Sequence, residues 1–169
     1  MATAGKVTGY STSQVVLHWA VVILVAFQFV AHEAIEKTWR AAVRGEPSPV
    51  EEEAMAYLHI AAGVLIFFLA TLRIYLRLTR GAPAPPADEP WLLKISGEAV
   101  HMLIYVLLFL LPLTGLIAWF LGMQAAGYVH EVLQNLLLAM IALHVAGALF
   151  QHFVRRSQVL MRMFRPQRD

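Results

Sequence analysis

The chain has 169 residues, 59% of them hydrophobic and only 14% charged, with a mean hydropathy of +0.63. A water-soluble domain of this length carries nearer a quarter charged residues, so the composition excludes one. There are no cysteines, which excludes disulfides, Cys-held clusters and any cofactor attached through a thiol or thiolate. The basic pI near 9.2 does not point to nucleic acid, because the positive charges cluster beside the apolar stretches.

Four stretches are long and apolar enough to cross a hydrocarbon core of ~30 Å, which takes about 20 helical residues. They are predicted at 14–35, 54–78, 92–122 and 128–154. Only helices or closed barrels satisfy their backbone in lipid, so the chain reads as all-α, an integral membrane four-helix bundle forming a single domain over 1–169. The first span follows Lys6 but is longer than a signal-peptide core, and no small-x-small site ends it; it reads as a span. The linker 81–87, Gly-Ala-Pro-Ala-Pro-Pro-Ala, is a stiff, extended connector. Only a few residues around 124–127 separate spans three and four, which makes them antiparallel neighbours. The tail 155–169 reads as a short interfacial helix with Leu160, Met161 and Phe164 in the headgroups.

Lysine and arginine set the orientation. Lys6, Arg73, Arg77, Arg80, Lys94, Arg155, Arg156, Arg162, Arg165 and Arg168 fall on one side. Only Lys37, Arg40 and Arg44 fall on the other, diluted by Glu33, Glu36, Glu46, Glu51, Glu52 and Glu53. Both termini are therefore expected in the cytoplasm. Arg73 and Arg77, four apart on one helical face, can pair with acidic groups of a cofactor or a quinone headgroup. The orientation rule alone also places arginines there.

Seven histidines are the chemistry-bearing residues. An ionisable or metal-binding side chain inside a span is expensive and is a functional candidate by default. His130 and His144 lie fourteen residues apart on the fourth span. That is nearly four turns, so both rings face one side, roughly 21 Å apart along the axis. Two stacked haems require that arrangement. By depth, His59 and His130 or His32 form an outer set. His18 with His144, His101 or His152 forms an inner one. A bis-imidazole haem needs two neutral rings from different helices, each fixed through its second nitrogen. Depth leaves the pairing open. Gly63, four residues after His59, would let a flat macrocycle approach; Pro112 and Gly115 read as a kink in span three.

The segments Val15-Val16-Leu17-His18-Trp19 and Leu58-His59-Ile60-Ala61-Ala62-Gly63 resemble the bacterial cytochrome b561 family. So do Leu72-Arg73-Ile74-Tyr75-Leu76-Arg77-Leu78, His101-Met102-Leu103-Ile104-Tyr105 and Leu111-Pro112-Leu113-Thr114-Gly115. His130-Glu131 and Leu143-His144 complete a likeness that runs over nearly the whole chain. It implies two non-covalent haem b groups, one held by His18 and His144 on the cytoplasmic side and one by His59 and His130 on the periplasmic side. His101 and His152 are then free for a quinone site or for contacts to haem propionates.

What the resemblance implies about function is electron transfer in the bacterial inner membrane, from periplasmic superoxide to ubiquinone. Lys37, Arg40 and Arg44 would draw the anion. The link between spans three and four is shorter than in the enterobacterial form, which should leave the outer haem less covered. The alternative is a non-catalytic cytochrome b subunit that passes electrons between a periplasmic redox partner and quinone. A third reading, without haem, is a transporter or scaffold whose buried histidines relay protons.

Overall fold

The computed structural model describes residues 9–167, and Lys6 and Arg168 of the positive side lie outside them. Five α-helices follow in order: α1 (Thr12–Val30), α2 (His32–Arg44), α3 (Val50–Arg80), α4 (Trp91–Leu121) and α5 (Gln124–Phe153). No helix pairs with a strand ladder among the described residues; a single bridge joins Ser11 to Gln167. Four helices, α1, α3, α4 and α5, are long and apolar enough to cross a membrane.

The helix ends follow local chemistry. Ser11 and Gln14 form a reciprocal capping box that starts α1. Glu51, Glu52 and Glu53 sit in the first turn of α3 and Arg77 and Arg80 in its last, each set matched to the helix dipole. Outward faces carry large apolar side chains such as Ile23, Phe68 and Phe120, all more than 60% exposed. In water such a surface would aggregate; in lipid it is the solvated one. Small residues at the buried positions of α3, Ala56, Ala62, Gly63 and Ala70, let neighbouring backbones approach.

Most helix ends shift from those expected by up to four residues, and three differences change the reading. The first span does not run to residue 35: α1 stops at Val30, and Ala31, almost fully buried, turns the chain into α2. From His32 onward, charged residues occupy one face and Ile35, Thr38, Trp39 and Ala41 the other, a pattern for a helix half in contact with protein and not for one in lipid. α2 packs along the start of α3, with Thr38 and Ala41 buried. Secondly, α5 begins four residues earlier than predicted, so 124–127 form its first turn and the link is only Gly122 and Met123. Thirdly, the tail is no interfacial helix. It is a series of turns with one 3-10 turn at Met161–Met163.

That tail closes one end of the bundle. Gln167 bonds Tyr10 through its backbone N–H at 2.9 Å, and Trp19 donates to the Met163 carbonyl at 2.8 Å. Arg155 donates to Asp88 and Arg162 to the Ala84 carbonyl, both at 2.8 Å, clamping the Pro-rich linker. Buried Gln151 donates to Glu89 and accepts from Ser157. The two described ends of the chain thus meet at one face, the termini end, and α2 lies at the other.

Gly122 is the joint on which the α4–α5 hairpin turns. Its φ is +63°, and a Cβ there would meet nothing within 4 Å, so a substitution costs backbone energy alone. Gly122→Val should destabilise the bundle by about 1–2 kcal/mol and Gly122→Asn by less. Thermal unfolding of the detergent-solubilised protein measures the ranking, and equal melting temperatures for the two variants would contradict it.

Candidate functional site

A layer of apolar side chains crosses the middle of the bundle: Val21 and Val25 of α1, Ile66 and Ala70 of α3, Leu107 and Leu108 of α4, and Leu137 of α5. Histidines lie on both sides of it. Toward α2, the rings of His59 and His130 stand 6.4 Å apart between centroids. Toward the termini end, His18 and His144 also stand 6.4 Å apart, and His101 touches His144 at 4.9 Å.

These separations discriminate. With a metal–imidazole bond of ~2 Å and about 1 Å from nitrogen to ring centre, two rings that shared one metal atom between them would stand roughly 6 Å apart. The His59–His130 and His18–His144 spacings suit one metal atom between two rings; His101–His144 is ordinary edge contact and leaves no room. His32 has no ring contact to His59 or His130 among those described, although it lines the same cavity. His152 lies edge-on to Phe153, with its Nδ1 buried and without a partner among the described residues.

The site near α2 contains a cavity of about 450 Å³ lined by Gln28, His59, Gly63, Gly115, Trp119 and His130 among others. That is within the size range of cofactor pockets. His59 Nδ1 and Gln28 Oε1 are buried there without partners among the described residues, polar atoms that call for a ligand or an ion. Gln28, which sequence reasoning passed over, donates to the His59 carbonyl at 3.1 Å. It also fills the space beside Gly63, where a Cβ would stand 3.1 Å from its amide nitrogen. A lone amide between two phenylalanines inside a span was the available signal.

Cover for this cavity comes from α2 and not from the α4–α5 link. Trp39 lies 6.4 Å from Trp119, and Tyr57 packs edge-on against Trp119 at 6.1 Å. The three cations on this side are not free to attract an anion as expected. Lys37 pairs with Glu33 at 2.9 Å and Glu52 at 3.4 Å, Arg40 pairs with Glu36, and Arg44 pairs with Glu46 at 3.0 Å. The hydrogen bond between Lys37 and Glu33, reinforced by their opposite charges, holds the Glu33 carboxyl below its ordinary range and raises Lys37.

At the other site, Arg73 reaches in from α3. Its Nη1 lies 2.8 Å from His18 Nδ1, and its Nε donates to the Tyr105 hydroxyl at 3.3 Å. A guanidinium only donates, so Nδ1 of His18 accepts and the ring proton is on Nε2. For His18 to ligate a metal through Nε2, that proton must leave or move to Nδ1, where it would face Arg73. Ligation therefore turns Arg73 toward another acceptor, and a carboxylate is the natural one. Arg77 follows Arg73 by one helical turn and lies in the last turn of α3, at the same end of the bundle. Tyr105 is a second residue that the sequence reading did not single out.

Paired imidazoles inside four membrane-spanning helices are the make-up of a membrane cytochrome. The model of the family described as prokaryotic cytochrome b561 matches residues 9–166, and the chain belongs to that family. It is 31% identical to cytochrome b562 of Cereibacter sphaeroides, covering 94% of this chain and 97% of that one. Cytochrome b561 homolog 1 of Escherichia coli is 27% identical over 91% of this chain and 96% of its own. The protein named probable superoxide oxidase CybB of Yersinia pestis is 28% identical over 94% and 97%. The chain is therefore a multi-pass membrane protein of haem b electron transfer.

Proposed function

We propose that the chain holds two haem b groups and carries electrons across the inner membrane from superoxide to ubiquinone. The observation that carries the reading is the repeated ring spacing: two histidine pairs at 6.4 Å on opposite sides of one apolar layer. His59 and His130 would hold the group nearer α2, His18 and His144 the group nearer the termini end. Haem b supplies a reversible one-electron carrier. The chain's own part is to supply neutral rings, exclude water and match the carboxylates with Arg73.

The termini end would face the cytoplasm, because eight of the eleven lysines and arginines among the described residues lie toward it. Quinone would react there. His101 is exposed on the bundle surface at the level of His144, so a lipid-borne headgroup can reach it, and Arg77 lies toward the same end in the last turn of α3. His152 is the remaining candidate at that end. Two superoxide ions each lose one electron to become oxygen, and the quinone takes both electrons and two protons to become quinol. His101 would pass protons to it.

The Yersinia pestis relative's name supports superoxide as the donor. A second reading keeps the haems but replaces superoxide with a soluble, positively charged redox protein. It is favoured by the α2 side, where every lysine and arginine is paired and Glu51 and Glu53 remain exposed besides. Stopped-flow mixing of the purified protein with a superoxide source decides between them. Superoxide oxidation predicts fast haem reduction that excess superoxide dismutase abolishes, with little dependence on salt because the cations are already paired. No reduction under those conditions, with reduction by a basic electron carrier, overturns the superoxide reading and leaves the haems standing.

A further inference from the structure

The four histidines that face each other in pairs are not held alike. His130 meets the turn of α4 around Pro112, from Leu111 to Gly115. Its Nδ1 lies 2.9 Å from the Leu111 carbonyl oxygen and 3.3 Å from Thr114 Oγ1. The Thr114 hydroxyl has a single proton, and it lies 2.9 Å from the Leu110 carbonyl and 3.0 Å from that of Leu111, one of which takes it. Toward His130 it therefore offers lone pairs alone. Both neighbours of Nδ1 are acceptors, so Nδ1 carries the ring proton and Nε2 the free lone pair.

Gly115 completes the seat. A Cβ at that position would stand 3.1 Å from His130 Cε1 and 3.2 Å from its Nδ1. Without a side chain there, the ring lies against the α4 backbone within reach of the Leu111 carbonyl. The rings of His59 and His18 have no such seat among the described residues. His59 Nδ1 is buried without a partner among the described residues, and His18 faces the cation Arg73.

We propose that Thr114 and Gly115 are positioning residues for His130, holding its ring as the Nδ1–H tautomer at a fixed angle and thereby setting the reduction potential of the haem it ligates. The proposal rests on the reading that His130 would hold a haem. A ring N–H shared between two acceptors makes the imidazole more electron-rich and a stronger ligand, which favours the ferric state and lowers the potential. Removing one acceptor must raise it.

The experiment is a spectroscopic redox titration of the purified, haem-loaded full-length protein, with electron paramagnetic resonance of the oxidised form. The variants are Thr114→Val, Thr114→Ser, Gly115→Ala and His130→Ala. Thr114→Val should raise the potential of one haem and leave the other unchanged, and Thr114→Ser should return it to the original value. Gly115→Ala should shift the g values of that same haem, because the ring must turn away from the new methyl. His130→Ala identifies the haem concerned by removing it. Loss of that haem in Thr114→Val with retention in Thr114→Ser supports the proposal equally. Unchanged potentials and unchanged g values in both Thr114→Val and Gly115→Ala overturn it. Retention of both haems in His130→Ala instead overturns the ligand reading on which it rests.

Discussion

His130→Ala should halve the haem content, from two groups per chain to one, and His59→Ala should remove the same group. His18→Ala and His144→Ala should each remove the other. The rings of each pair approach at 6.4 Å, so each proposed haem depends on two ligands from different helices and loses its six-coordinate, low-spin state with either. The two sites are separated by the Val21, Val25, Ile66 and Leu137 layer, which holds the bundle together without the rings. Loss at one site should therefore spare the other. A pyridine haemochrome assay counts the haems, and the reduced-minus-oxidised spectrum tells which remains. If His101→Ala abolished a haem and His144→Ala did not, the pairing would be wrong. The 4.9 Å contact of His101 with His144 argues against that outcome, because it leaves no space for a metal.

Arg73→Leu should weaken binding of the haem near the termini end by roughly 10- to 100-fold and leave the other haem in place. Arg73 is a half-buried guanidinium on a membrane-spanning helix, bonded to His18 and Tyr105. Once His18 acts as a ligand through Nε2, the arginine must find another acceptor, and a haem carboxylate is the one the reaction brings. A charge-assisted hydrogen bond of this kind is worth about 1.5–3 kcal/mol, and each ~1.4 kcal/mol is a factor of ten. The haem that still binds near the termini end should also shift to a lower potential, because losing the cation beside it removes a charge that favours the reduced state. Arg73→Lys should restore part of both effects, since it keeps the charge and loses the planar fork. Haem titration of the stripped protein gives the affinity and a redox titration gives the potential. An affinity and potential equal to those of the unaltered chain would remove Arg73 from the site.

Much of this architecture is legible along the chain. Unbroken apolar runs of more than 20 residues leave the backbone no choice but helix in lipid, so four spans follow from composition and period alone. The fourteen-residue interval between His130 and His144 places two rings on one face by helical geometry. What depth left open was which ring meets which, a pairing that only the family resemblance implied. Depth gives only a coordinate along the bundle axis, while pairing depends on how each helix is rotated about its own axis, and that is set by packing. The same rotation brings Arg73 to His18 and Thr114 to His130, residues at least 16 positions apart in the chain.

The break at Ala31 shows the other limit. Residues 31–35, Ala-His-Glu-Ala-Ile, hold no proline or glycine, so nothing local stops a helix there. α1 ends there because the following helix has a face to bury against α3, a gain that exists only when α3 is in place. The charges of α2 teach the same lesson. Lys37, Arg40 and Arg44 read as a small positive patch when listed by type, yet each finds a carboxylate one helical turn or one loop away. Composition and period determined the class of the protein, its four spans and the residues that can carry its chemistry, because these depend on local geometry and on transfer to lipid. The tertiary structure alone decided which histidines face each other, what holds the second nitrogen of His18 and of His130, and which charges are cancelled, because those depend on contacts between helices.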